Sequence, residues 1–232
     1  MLGYIYNTLS GEVIKMDFGS ARENMIECQL RTNKITDNRI LEVMSLLPRE
    51  RFVPQPFQEM AYVDTDIPCG VGRYLMSAMA SARLIQEADI QSGDEVLCVG
   101  AGTGYSTAVM AGLAASVIAL ESEESCAQMA SRLFSDLNLD NSVVVEGVLT
   151  SGWNAESPYN VILIDGMIEE VPTVIFEQLS NRGRMVTVVD SGNGIGIAKV
   201  FVKLDNRVTS REIFNVKAGK LPEFKKKPGF VF

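Results

Sequence analysis

A short, continuously apolar run, Val96-Leu97-Cys98-Val99, passes directly into Gly100-Ala101-Gly102-Thr103-Gly104-Tyr105 and then into a helical stretch over 106–113. A β-rich run with no polar alternation belongs inside a sheet covered on both faces. A glycine turn between such a strand and a helix lets the backbone take positive φ and come close to a ligand at the carboxyl edge of the sheet. The downstream chain continues the alternation. Runs at 116–120, 142–145, 160–164, 184–189, 197–204 and 209–216 read as further strands, seven with the first. Strands separated by helical segments predict a parallel sheet with crossover helices. The last two runs are joined only by Asp205-Asn206-Arg207, too short for a crossover, so they should form an antiparallel hairpin at the sheet edge. The expected fold is α/β, a Rossmann-like, seven-stranded, mostly parallel sheet with an edge hairpin, preceded by N-terminal helices.

The glycine spacing narrows the ligand. A dinucleotide fingerprint places a third glycine where this chain has Tyr105, which disfavours nicotinamide. About twenty residues past the loop the second strand closes on Leu120-Glu121, where a carboxylate can accept both hydroxyls of a ribose. The competing reading of Glu121 is a solvent-facing acid opening a helix with Glu123 and Glu124. By the crevice rule for open α/β sheets, Glu146-Gly147 after the third strand should flank an adenine, and Asp165-Gly166 after the fourth should face the reacting end of the ligand. A mostly parallel sheet with one reversed strand near its end is the methyltransferase variant of this architecture. The expected cofactor is therefore S-adenosyl-L-methionine, held by Gly100, Ala101, Gly102, Thr103, Gly104, Tyr105, Glu121, Glu146, Gly147 and Asp165.

Composition removes alternatives. There is no histidine in the 232 residues, which excludes Ser-His-Asp and Cys-His hydrolases and His-ligated zinc enzymes. A formal net charge of −8 opposes nonspecific attraction to nucleic acid or anionic membranes. Lys225, Lys226 and Lys227 form the one clear basic run and read as a solvated tail. Four cysteines, at 28, 69, 98 and 126, make no C-x-x-C pair, so no metal site is expected, and reduced thiols in a cytoplasm are the simplest account. Cys98 should be a small buried hydrophobe, whereas Cys69, beside Gly70, is the thiol whose position invites scrutiny. The N-terminus lacks the basic-then-apolar pattern of a signal peptide, and no apolar run is long enough to span a bilayer.

Residues 1–15 show no firm period and read as an extension; residues 16–232 read as one domain. Within it, 16–90 carry helices and a loop, 91–218 the α/β core and 219–232 a tail. Helical spacing recurs over 20–30, from a Thr36 or Asp37 cap through Leu47 to the stop at Pro48, and over 76–88. Asn193-Gly194 reads as a turn.

With these elements placed, the chain from Met16 to the edge strands resembles the protein-L-isoaspartate O-methyltransferase family. The resemblance rests on Met25 to Arg31 (MIECQLR), on Pro48-Arg49-Glu50-Arg51-Phe52-Val53-Pro54, on Ala61-Tyr62 before Asp66-Ile67-Pro68, and on Val171-Pro172, Gln178-Leu179 and Gly183-Arg184. It implies carboxyl methylation of proteins bearing an isoaspartyl residue. That acceptor is already ionised at pH 7, so holding it in line with the sulfonium methyl needs no imidazole base.

The chain departs from the family in the substrate loop, where members read Pro-Ile-Gly-His-Gly-Gln-Thr-Ile-Ser-Gln-Pro and address the acceptor with the threonine and serine hydroxyls. Here the loop is Pro68-Cys69-Gly70-Val71-Gly72-Arg73-Tyr74-Leu75-Met76-Ser77-Ala78. Tyr74 stands for the threonine and Met76 for the serine; Ser77 is one position out of register. A thioether donates no hydrogen bond. Arg73 could grip a carboxylate as a bidentate fork, or could instead pair with Asp64 or Asp66. Arg73, Tyr74 and Ser77 are the candidate catalytic residues. Three readings stay open: an isoaspartyl-type methyltransferase or a relative acting on another carboxylate, a noncatalytic member serving as a binding module, and a small-molecule methyltransferase with Tyr74, Met76 and Trp153 lining its pocket.

Overall fold

The structure, a computed structural model, describes residues 4–6, 13–205 and 207–226. Asn206 of the hairpin turn and Lys227 of the basic run lie outside the described residues. A small ribbon, β1 (Tyr4–Tyr6) against β2 (Val13–Lys15), precedes α1 (Phe18–Asn24). Asp17 caps α1 by accepting the N–H groups of Gly19 and Ser20. The helix expected over 20–30 then widens into a π turn, Met25–Leu30. Met25, Ile26 and Leu30 of this turn are buried, the wider i→i+5 winding keeping the first and last of them on the inward side. α2 (Asn38–Leu46) is capped by Asp37, whose carboxylate accepts the Arg39 N–H, and ends just before Pro48.

The hairpin β3 (Ile67–Gly70) and β4 (Arg73–Leu75) carries the substrate loop into α3 (Ala78–Ala88). After it come β5 (Glu95–Val99), α4 (Tyr105–Ala111), β6 (Ser116–Glu121), α5 (Glu124–Asp136) and β7 (Ser142–Glu146). The chain ends in β8 (Tyr159–Ile168), α6 (Thr173–Glu177), β9 (Leu179–Asp190), β10 (Gly196–Leu204) and β11 (Arg207–Val216). The seven-stranded sheet has the order β11-β10-β9-β8-β5-β6-β7. β7, β6, β5, β8 and β9 pair in parallel, and β10 is antiparallel to both β9 and β11. The chain winds outward from β5 to one side and returns to β8 on the other, so the switch point, and with it the ligand crevice of such sheets, lies beyond the carboxyl ends of β5 and β8.

Side-chain alternation along β5 divides the core. Val96 and Cys98 join α2, α3 and α4 in one layer with Ile40, Met44, Leu84 and Val109. Leu97 and Val99 face the other layer with Ile162, Ile164, Leu179, Leu221 and Phe224. The buried Cys98 is a packing residue, as its apolar run implied.

Two differences from the sequence reading share one cause. β8 runs on past the expected end at residue 164, with a register shift between Leu163 and Met167. Residues 219–224, read as part of a tail, turn back and lie along this extension. Met167 bridges Lys220 in parallel, donates its N–H to Gly219 O at 2.8 Å, and accepts the Leu221 N–H at 2.9 Å. Leu221 and Phe224 supply the reason, since both are buried apolar side chains in the second core layer.

Candidate active site

The loop after β5 is built for close approach. Gly100 and Gly104 have φ of +74° and +93°, in the left-handed region that side chains avoid. A Cβ at Gly104 would lie 2.6 Å from the Phe134 ring, and one at Gly100 would lie 3.0 Å from Leu221 Cδ1. The Gly100 and Ala101 N–H groups both donate to Leu120 O, at 2.9 and 3.2 Å, which fastens the loop to β6. Thr103 is buried and donates to Phe52 O at 2.6 Å. Tyr105 is fully buried, with Phe52 against its ring edge and the Arg49 guanidinium 4.6 Å from its centroid. Its hydroxyl has no hydrogen-bond partner, and burial pushes its pKa up.

Glu121 closes β6 and is completely buried, so the solvent-facing alternative does not describe it. One carboxylate oxygen accepts the Gly102 N–H at 2.7 Å. The other accepts the N–H groups of Ser122 at 2.7 Å and Glu123 at 2.8 Å, and Arg73 Nε at 2.8 Å. Arg73 is thus paired with neither Asp64 nor Asp66. Its terminal nitrogens also reach Ser122 Oγ at 2.7 Å, Glu223 at 2.6 and 3.3 Å, and Gly72 O at 3.2 Å, so every donor of the fork is engaged.

The remaining candidates are placed as follows. Gly147 donates its N–H to Glu121 O at 3.0 Å, next to the exposed Glu146. Asp165 lies buried in the β8 extension; its Oδ1 has no partner, and burial pushes its pKa up to about 7, against the pull of Ser106 and Arg49. Tyr74 is half exposed, its ring against the Gly219 backbone. Ser77 Oγ caps α3, accepting the Ala80 N–H, while the Ser77 N–H donates to Asp66 Oδ1 at 2.8 Å. Met76 is buried. Cys69 packs its sulfur by Gly102 and accepts from Cys126 Sγ at its carbonyl. Cys126 and burial push the Cys69 thiol's pKa far up, which makes it a poor nucleophile.

Sequence reasoning missed three contributors. Arg49, within the Pro48–Pro54 motif, is fully buried and donates to Ala61 O at 2.7 Å and Met76 O at 2.6 Å, holding the end of the substrate loop. A charged residue bracketed by Pro48 and Phe52 was the available signal. Leu221 and Glu223 come from the segment read as a tail, where the apolar Leu221 and Phe224 are the available signal.

The sequence reading expects the glycine loop to underlie a nucleoside and the Glu121 carboxylate to accept from its ribose. Here Leu221 covers Gly100 and Gly166, and Glu121 already accepts from Arg73 and the loop N–H groups. The space over the glycine loop and one oxygen of the Glu121 carboxylate are thus taken up by Leu221 and Arg73.

Comparison with known proteins identifies the lineage. Residues 20–217 match the family model described as protein-L-isoaspartate(D-aspartate) O-methyltransferase (PCMT). A protein-L-isoaspartate O-methyltransferase of Brucella anthropi is 35% identical over 77% of this chain and 82% of its own. One of Methanoculleus marisnigri is 34% identical over 81% of this chain and 84% of its own. Among solved structures, a protein-L-isoaspartate O-methyltransferase superposes with a TM-score of 0.74 at 24% identity, covering 86% of this chain and 66% of that one. A beta-aspartate methyltransferase (PCMT) from Plasmodium falciparum, in complex with S-adenosyl-L-homocysteine, superposes with a TM-score of 0.72 at 18% identity, covering 90% of this chain and all (100%) of that one. The sequence match to the family model and to its curated members, over the same stretch that builds the glycine loop and the seven-stranded sheet, shows that this chain belongs to the protein-L-isoaspartate(D-aspartate) O-methyltransferase family.

Proposed function

We propose that the chain is an S-adenosylmethionine-dependent O-methyltransferase that esterifies a carboxylate, the isoaspartyl carboxylate of a damaged protein being the favoured acceptor. The family match over residues 20–217, with the glycine loop and Glu121 at the switch point, carries the reading. The nucleoside would take Gly100, Ala101, Gly102, Thr103, Gly104 and Tyr105 as its floor, Glu121 for the ribose, Glu146 and Gly147 beside the base, and Asp165 toward the reacting end. An ionised acceptor needs no proton removed, which suits a chain without histidine. A groove of about 470 Å³ lined in part by Asp64, Asp66, Tyr74, Ser77 and Lys217 offers the acceptor peptide a place beside the substrate loop. With Arg73 held by Glu121 and Glu223, Tyr74 is the exposed donor of this loop. The four free thiols support a cytoplasmic location, and no helix among the described residues is long and apolar enough to cross a membrane.

The test is methyl transfer from labelled S-adenosylmethionine to an isoaspartyl peptide, with the matching aspartyl peptide as control. Base-labile label on the isoaspartyl peptide alone is the expected result; none on either sinks the acceptor assignment. The covered glycine floor favours a second reading, a noncatalytic member, which predicts no transfer to any carboxylate.

A further inference from the structure

Residues 218–224 lie over the glycine loop, the floor proposed above for the donor. Leu221 is 5% exposed and fills the space over the loop: a Cβ at Gly100 would meet its methyl groups at 3.0 and 3.1 Å, and one at Gly166 would meet its Cγ at 2.7 Å. Glu223 binds both terminal nitrogens of Arg73, while Arg73 Nε binds Glu121. The segment thereby pins a guanidinium on the carboxylate that a ribose would need.

We propose that this segment is a built-in occupant of the donor crevice, and that the nucleoside binds only when the segment lifts, taking Leu221 off Gly100 and Gly166 and Glu223 off Arg73. The inference rests on the methyltransferase reading given above. Two apolar side chains, Leu221 and Phe224, anchor the segment in the second core layer, while its backbone attachments are of a kind that opens locally. Gly219 and Leu221 share hydrogen bonds with Met167 on a bulged strand end, and Phe224 O accepts the Glu169 N–H at 3.3 Å. Such short, terminal pairings open at far lower cost than the central sheet. Lifting also removes one of the two carboxylates of Arg73, which frees the guanidinium to swing away from Glu121. The release is tied to the acceptor side through Asp66, whose carboxylate accepts the Gly219 N–H at 2.7 Å and the Ser77 N–H at 2.8 Å. Because apparent affinity scales with the fraction of open molecules, weakening the segment should tighten nucleoside binding.

The experiment measures S-adenosylhomocysteine affinity by calorimetry on the full chain, as wild type, Leu221→Ala and Glu223→Gln, with amide hydrogen exchange at Met167 and Leu221. Both variants should bind at least about tenfold more tightly than wild type, and exchange at these amides in the wild type should quicken when the nucleoside is added. Glu223 lies at the surface, so Glu223→Gln serves if Leu221→Ala fails to fold. Equal or weaker binding by the variants, with exchange unchanged on saturation, overturns the occupant and leaves the methyltransferase reading standing. No binding by any of the three proteins overturns the methyltransferase reading and the competition together.

Discussion

Two buried carboxylates lie on the strands that flank β5, Glu121 at the end of β6 and Asp165 within the extension of β8, and their surroundings treat them differently. Glu121 accepts four N–H groups, from Gly102, Ser122, Glu123 and Arg73, so Glu121→Gln should cost about 3 kcal/mol of stability in urea denaturation, because a buried guanidinium loses a partner. The same variant should bind no S-adenosylhomocysteine by calorimetry. Asp165 has an oxygen without a partner and a pKa of about 7. In the unfolded chain its pKa falls near 4. Between those values the folded chain holds a proton that the unfolded chain has released, so stability falls as pH rises from about 4 to about 7 and then levels. Asp165→Asn should abolish that slope. Urea denaturation at pH 5 and pH 8 should show the variant gaining on wild type by about 3 kcal/mol between those two pH values; parallel curves would contradict the assignment. The position of Glu121 at a strand end was legible from spacing alone, whereas Asp165, expected just past the end of its strand, lies within β8 because the strand continues to Ile168. The ion-pair partner of Glu121 was not legible, because Arg73 lies 48 residues away in sequence and is itself fixed by Glu223, 150 residues further on.

Helix ends and the short strands of the substrate loop obey local rules, and most of them could be read. Asp37 caps α2, Pro48 follows its end, and the helix expected over 76–88 forms as Ala78–Ala88. Ser77 shows where local reading stops. Its hydroxyl was a candidate for the acceptor carboxylate, whereas in the structure it accepts the Ala80 N–H at the start of α3. A capping role predicts that Ser77→Ala lowers stability by about 1 kcal/mol and Ser77→Gly by only a few tenths. Thermal melts check the first part. Turnover of Ser77→Gly checks the second: loss of methyl transfer in a protein of near-normal stability would return the hydroxyl to the chemistry.

At the scale of the whole molecule, the sheet is protected unevenly. β5 and β8 lie inside it between the two core layers, while β11 is an edge strand exposed along most of its length. Native-state hydrogen exchange should find the slowest amides in β5, β6 and β8 and the fastest sheet amides in β11, with residues 218–224 faster than the strand they lie on. The amino-acid sequence alone determined the alternation of elements, the hairpin at 197–216, the glycine turn and the carboxylate after β6, because hydrophobic period, glycine placement and loop length act over a few neighbouring residues. Only the tertiary structure decided what occupies the crevice. Leu221 and Glu223 reach Gly100 and Arg73 through the return of the chain past β11. That placement follows from burial and charge pairing between distant segments, which no local pattern encodes.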